Sequence, residues 1–405
     1  FNKKFNRIMD KKLIYLISGR SASSKNPGRK ISEIISVWSL KYNVFSVFGG
    51  DLFLGVGSLK NSLESYGSAN YHQQSFRKSY LWTTFSEIKD IIHTFITLFH
   101  LIKNYKKEDV AIIWERSSRL HWAGLIFSKI KKIPYVLEWK DHLIPEQKSL
   151  LKRLARYIEK KKILEAEYVV IESNVLKNWI VNEYNIDSKK VLVALNAVNY
   201  TDFSKKNIDN REYSQKYNFK TLKTIVTYLG SFAFYHDSKR LVLAANILFE
   251  INPNITIYMI GDGKDKNECI ILANELNISG KNIFFMPPVK KEEVPEILHN
   301  SDIAVLPGST DIICPVKIME YMAAGCVTIA PDYECNKEVI QHLKNGLLFK
   351  TGDEKSLAEV INQIANDKAI AFEISENGME YAKTNLSWEI TWGKTLDFII
   401  NENWD

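Results

Sequence analysis

The chain has 405 residues, 45% hydrophobic and 25% charged, a balance that excludes a disordered or fibrous protein and is long enough for two cores. Its net charge of +7 suits phosphate-rich ligands or an anionic membrane surface and argues against dedicated nucleic-acid binding. The four cysteines, Cys269, Cys314, Cys326 and Cys335, form no CxxC pair and have no metal-spaced histidine beside them, so reduced thiols of a cytoplasmic protein are expected.

The basic N-terminus carries one apolar run, 13–18, too short for a secretion signal, and no transmembrane helix is expected. The stretch 91–102 is broken by His93, Thr94, Thr97 and His100 and is too short to span a bilayer. In chain order, β-rich runs at 12–17, 43–48, 110–114, 135–138, 168–171 and 190–195 alternate with helical periodicity near 28–40, 83–104, 119–130, 147–164 and 174–184. That alternation predicts βαβ units on a parallel sheet. Residues 200–222 are rich in Asn, Lys and Tyr without apolar periodicity and read as the crossing between domains. A second series follows, with strands expected at 224–228, 256–260, 282–285, 303–306 and 327–330. The resulting division is an N-terminal domain 1–205, a linker 206–222, a C-terminal domain 223–384, and a helix over 385–405 packing back toward the first domain.

The stretch 301–340 carries the clearest chemistry. Pro315 opens a helix after a strand and loop, and a helix N-terminus offers free N–H groups and partial positive charge to a phosphate. Pro315, Val316 and Lys317 would then face phosphate oxygens. Glu320, about 7.5 Å along the axis from the helix start, could accept both hydroxyls of a ribose. The competing reading is an amphipathic helix whose Ile318, Met319 and Met322 are core while Lys317 and Glu320 are solvated. The loop 19–29, with Gly19, Arg20, Ser21 and Arg29, also opens a helix but lacks both the G-x-G-x-x-G and the Walker A spacings. Glu115 and Arg116 end a strand and form either a buried ion pair or a ligand contact.

Eight short motifs in order, ERSS (115–118), IPYVLE (133–138), VLVALNAVNYTDF (191–203), YLGSF (228–232), YMIGDG (258–263), SDIAVLPG (301–308), PVKIMEYMAAG (315–325) and NGLLF (345–349), make nearly the whole chain resemble a family 4 type GT-B glycosyltransferase. The resemblance implies an α/β fold of two Rossmann-like, doubly wound domains facing a central cleft. It also implies retaining, metal-independent transfer from a nucleotide sugar, with uridine as the expected base and no cofactor. The donor would meet Pro315, Val316, Lys317, Glu320, Gly230, Ser231, His236 and Lys239, with Gly261, Asp262, Gly263 and Pro288 around the base. The acceptor, a glycan or lipid-linked glycan of a cell-surface polysaccharide, would meet Gly19, Arg20, Ser21, Arg29, Glu115 and Arg116. Glu138, and after it His142, would face the transferred sugar, with burial of Glu138 as a satisfied structural carboxylate the competing reading. No D-x-D occurs, which disfavours the metal-dependent alternative, and no metal is expected.

Two departures stand out. Ile312 occupies the position of the first glutamate of the family's E-x7-E signature, and Ser231 and His236 stand where a basic pair usually clamps the diphosphate. They leave open a sugar-nucleotide epimerase of the same fold and a nucleotide-sugar-binding homologue without catalysis. Two basic segments suit an anionic membrane on the inner face: 148–162, and 76–106 with its aromatic residues, the latter reading slightly better as a core-facing helix.

Overall fold

The computed structural model describes residues 11–18, 25–49, 80–140, 149–203 and 223–402. The chain divides into two units, the first comprising residues 1–172, 176–194 and 392–405, the second residues 173–175 and 195–391.

The first unit holds β1 (Lys12–Ser18), β2 (Asn43–Gly49), β3 (Val110–Arg116), β4 (Tyr135–Glu138), β5 (Tyr168–Ile171) and β6 (Val191–Val193). They form one parallel sheet in the order β2-β1-β3-β4-β5-β6. β3, VAIIWER, is buried along its whole length, polar end included, as expected of a strand covered on both faces. Trp38, from the helix Lys25–Ser39, packs on Tyr15 and Trp114 with ring centroids 5.4 and 4.6 Å apart. The C-terminal helix Lys394–Glu402 belongs to this unit. Trp38 Nε1 donates to the Trp392 carbonyl at 3.0 Å, and Lys41 and Tyr42 both reach Asp397.

The second unit holds β7 (Thr224–Leu229), β8 (Ile255–Ile260), β9 (Ile283–Met286), β10 (Ile303–Val305), β11 (Val327–Pro331) and β12 (Leu347–Phe349). Its parallel order is β12-β11-β10-β7-β8-β9. The chain runs outward from β7 to β9, returns to β10 beside β7, and runs outward again to β12. The order therefore reverses between β7 and β10, and the carboxyl ends of those strands are where a doubly wound sheet offers a ligand crevice.

Every strand expected from the sequence is present among the described residues. β12 was not expected from the sequence. The helix expected at 119–130 starts only at Ala123, and the one expected at 147–164 starts at Lys152.

Candidate functional site

At the switch point of the second unit, the helix Val316–Ala323 begins immediately after Pro315, whose φ of −68° and ψ of 142° set its extended N-cap. It ends at Gly325, left-handed at φ 77°, where Gly325 N–H and Cys326 N–H donate back to Met322 and Tyr321 carbonyls. One turn beyond Lys317, Tyr321 ties this helix to the end of β7: its hydroxyl donates to Leu229 O at 3.1 Å and accepts from Leu229 N at 3.3 Å.

Lys317, in the first turn, lays its amine over Gly230, the residue that follows β7. A Cβ at position 230 would land on that amine and lie 2.6 Å from Lys317 Cε, so glycine is what gives the amine its place at the strand end. The Nζ lies 3.0 Å from His236 Nε2 and 5.5 Å from the Tyr228 ring centroid. His236 Nδ1 lies 3.2 Å from the Gly308 carbonyl, which can only accept. Nδ1 therefore carries the imidazole proton, and the bare Nε2 accepts from the ammonium. Burial, reinforced by the Lys317 charge, pulls His236 down to about 4. Burial likewise pulls Lys317 down to about 8, with Glu320 opposing the shift from the same helix.

The turn after β8 packs on the same strand end. Gly261 and Gly263 have φ of 142° and 154°, and a Cβ on Gly261 would lie 2.9 Å from the Gly230 carbonyl carbon and nearer still to its oxygen. Phe232 N–H donates to Asp262 O at 2.9 Å, which aligns the two turns, while the exposed Asp262 side chain accepts from Gly263 N–H at 2.8 Å. Lys266 was not anticipated. It donates to Gly261 O at 2.7 Å and Met286 O at 2.8 Å, locking the turn against the end of β9; its only sequence signal is a lysine three residues past Gly263. Ser231 and Pro288 are exposed beside these turns.

Thus Pro315, Val316, Lys317, Glu320, Gly230, His236 and Gly261 to Gly263 gather at the carboxyl ends of β7, β8 and β10. Lys239 does not join them: it pairs with Glu268 on the surface. Its neighbour Arg240 is engaged by Asp237 at 3.1 Å and Glu354 at 2.5 Å. Ile312, in the position of the missing signature glutamate, uses its carbonyl to accept from the Ser173 hydroxyl at 2.5 Å.

In the first unit Glu138 lies inside the sheet. The carboxylate is 1% exposed; one oxygen pairs with Arg116 and the other accepts from Tyr15 Oη at 2.6 Å and Trp114 Nε1 at 3.2 Å. A buried carboxylate with partners on both oxygens braces the sheet. Arg116 is consumed in the same pair. Glu115 accepts from Gly124 N–H at 2.8 Å and lies 3.7 Å from Lys162 Nζ; burial raises its pKa despite that lysine. Glu115 and Arg116 still line a small cavity with Ser18 and His121 at the carboxyl ends of β1 and β3. His142, Gly19, Arg20 and Ser21 lie outside the described residues, as does the side chain of Arg29, itself within the helix Lys25–Ser39.

Lys162 was expected on the basic, membrane-facing side of the segment 148–162, yet it is 0% exposed and donates to Ser118 O and His121 O, both at 3.1 Å. The helix Tyr80–Asn104 buries one side, with Glu87, Thr94, Thr97 and Leu101, as a core-facing helix does, but its outward side carries Phe85, Ile88, Ile92, Phe95 and Phe99 at helical spacing. Phe99 is 69% exposed. This face continues onto Leu150, Leu154 and Tyr157 near the start of the helix Lys152–Glu165. Thr84 Oγ1 accepts from Leu150 N–H at 3.2 Å where the two segments meet. Among the described residues no helix is long and apolar enough to cross a membrane, and no cluster of three or more His, Cys, Asp or Glu could hold a metal ion.

Two parallel six-stranded sheets, with a cation, a helix N-terminus and glycine turns at the second sheet's switch point, define the fold of the GT-B glycosyltransferases. Residues 209–383 match the family model described as glycosyl transferases group 1, so the second unit carries a domain of that family. The crystal structure of Anabaena Alr3699/HepE in complex with UDP is similar over 96% of this chain and 99% of that one, with a TM-score of 0.72 and 16% identity. Chitobiosyldiphosphodolichol beta-mannosyltransferase of Debaryomyces hansenii is 21% identical over 339 residues, 76% of this chain and 71% of that protein. The capsular polysaccharide biosynthesis glycosyltransferase CapM of Staphylococcus aureus is 22% identical, covering 76% and 79%. Against two further relatives the match spans 51% and 45% of their length.

Proposed function

We propose that this protein is a metal-independent, retaining glycosyltransferase that moves a sugar from a UDP-linked donor to a lipid-linked glycan of a cell-surface polysaccharide. The observation that carries the reading is Lys317 Nζ resting over Gly230 at the switch point, beside the free N–H groups of the helix Val316–Ala323. Diphosphate binds there, Glu320 takes the ribose hydroxyls, and the Gly261–Asp262–Gly263 turn faces the base. In the transfer the bond from the sugar's anomeric carbon to the phosphate oxygen breaks and one to the acceptor oxygen forms on the same face. The acceptor proton passes to the departing phosphate. Such a step needs charge stabilisation and positioning more than a protein base. The UDP complex of the Anabaena protein favours uridine, and the names of the relatives favour lipid-linked and capsular glycans.

The test is a thermal-unfolding screen against nucleoside diphosphates and nucleotide sugars. UDP-linked compounds raise the midpoint and Glu320→Ala removes most of the shift; if no nucleotide shifts it, the reading fails. The outward apolar row on the helix Tyr80–Asn104, with Lys152, Arg153 and Arg156 on the adjoining helix, suits a peripheral seat on an anionic bilayer of the cytoplasmic face. Co-sedimentation with phosphatidylglycerol vesicles, lost on replacing Phe95 and Phe99 by serine, checks this; equal sedimentation of wild type and variant refutes it.

A further inference from the structure

We propose that His236 is the positioning residue of the donor-phosphate site: its bare Nε2 holds the Lys317 amine over Gly230, so that the diphosphate meets an ammonium already oriented. The inference rests on the donor-site reading above and concerns how that site is built.

His236 closes the short turn Phe234–His236 after β7, and Asp237, left-handed at φ 42°, redirects the chain into the helix Ser238–Ile251. The loop after β10 lies directly against this turn. A Cβ on Gly308 would be 2.8 Å from Asp237 Cβ and 3.0 Å from the His236 carbonyl carbon. The Nδ1–H donated to Gly308 O therefore ties the two strand ends that flank the switch point, and the same bond fixes the tautomer. His236 is thus orientated from one strand end to hold a side chain that arrives from the helix beyond the other.

The acceptor's chemistry is what makes this a holder rather than a partner. A lysine stem has four rotatable bonds, and fixing it beforehand removes an entropic cost from ligand binding. A carboxylate could fix the amine equally well but would neutralise it and compete with the diphosphate. A second cation would expel it. A neutral imidazole, kept neutral by burial and by Lys317 itself, orders the amine and leaves its charge to the ligand. The groups facing the pair are the Tyr228 ring on β7, the Tyr235 ring 4.5 Å from the imidazole, and Glu320 on the helix.

The experiment measures UDP affinity by calorimetry, and donor KM and kcat where turnover is detected, for wild type, His236→Leu, His236→Gln, His236→Glu, Lys317→Met and the His236→Leu/Lys317→Met double variant. His236→Leu weakens UDP binding and raises donor KM about tenfold, the scale of one hydrogen bond to a charged group, while kcat moves less than about threefold. His236→Gln, which presents an acceptor at a similar reach, restores most of the affinity. His236→Glu folds and weakens UDP binding by neutralising the amine, which keeps the test open should the leucine variant misfold. In the Lys317→Met background, His236→Leu has no further effect. Wild-type affinity in His236→Leu or His236→Glu overturns the proposal, as does an equal loss from His236→Leu in both backgrounds. Failure of the wild type itself to bind UDP or any other nucleoside diphosphate removes the donor-site reading beneath it.

Discussion

Replacing Lys317 by methionine keeps the length of the side chain, removes its charge, and acts in opposite directions on the empty protein and on donor binding. Burial holds the empty protein's ammonium at about 8 against an ordinary value of 10.5. At about 1.36 kcal/mol per pH unit this is roughly 3 kcal/mol against folding at neutral pH, cut to about 2 kcal/mol because the side chain is partly exposed. Losing the amine leaves His236 Nε2 buried without its donor, which takes back about 1 kcal/mol. The empty variant should thus be about 1 kcal/mol more stable, a midpoint about 3 °C higher for a unit of this size. With UDP present the order reverses. Charge-assisted hydrogen bonds to the diphosphate contribute about 1.5–3 kcal/mol, so Kd rises about 10- to 150-fold in the variant. Because the folded pKa is depressed, the wild type regains stability as pH rises from about 8 toward 10.5, and the gap between the empty proteins closes over that window. Thermal unfolding with and without UDP, at pH 7 and pH 9.5, reads all three effects. A variant that is destabilised by more than about 2 kcal/mol yet binds UDP as wild type does would refute the reasoning, since Lys317 would then be structural.

Gly230→Ala displaces only the flexible end of Lys317 and should cost under about 1 kcal/mol in urea unfolding while weakening UDP about tenfold. Gly261→Ala drives a Cβ into the Gly230 carbonyl at φ 142° and should cost about 3 kcal/mol or more in the same measurement. Lys162→Met leaves Glu115 and Glu159 buried beside an apolar chain and should cost about 3–5 kcal/mol, against under about 0.5 kcal/mol for the exposed Lys161→Met. His236, depressed from 6.5 to about 4, contributes stability that is complete above pH 6.5 and lost as pH falls toward 4. Its replacement by glutamine should flatten the unfolding midpoint across that window.

The elements that declared themselves in the sequence are those whose pattern is local. β3 and β8 are near-continuous apolar runs, and the helix after Pro315 has its N-cap, its period and its terminal Gly325 within eleven residues. What stayed hidden depends on distant partners. Glu138 at a strand end leaves a structural and a ligand role both open in the sequence; its partner Tyr15 lies 123 residues earlier. Lys162 reads as one lysine of a basic run, but the late start of the helix at Ala123 leaves the carbonyls of Ser118 and His121 pointing where its ammonium can satisfy them. The apolar row from Phe85 to Phe99 has a helical period in either orientation, and period alone does not say which side faces water.

The buried cations also show why the candidate site falls where it does. Lys30 meets Glu172 at 2.5 Å, and Lys162 is surrounded by Glu115, Glu159, a hydroxyl and two carbonyls. Their positive charge is spent inside the fold, and a ligand anion would have to displace a carboxylate to use it. Lys317 is held instead by a neutral imidazole and an aromatic face, neither of which cancels its charge. Arranging a cation that way costs stability in the empty protein, so it persists only where something anionic completes it. The three lysines therefore make a discriminating set. Methionine at 30 or 162 should unfold the protein more readily without touching UDP affinity beyond what unfolding explains, and methionine at 317 should do the reverse.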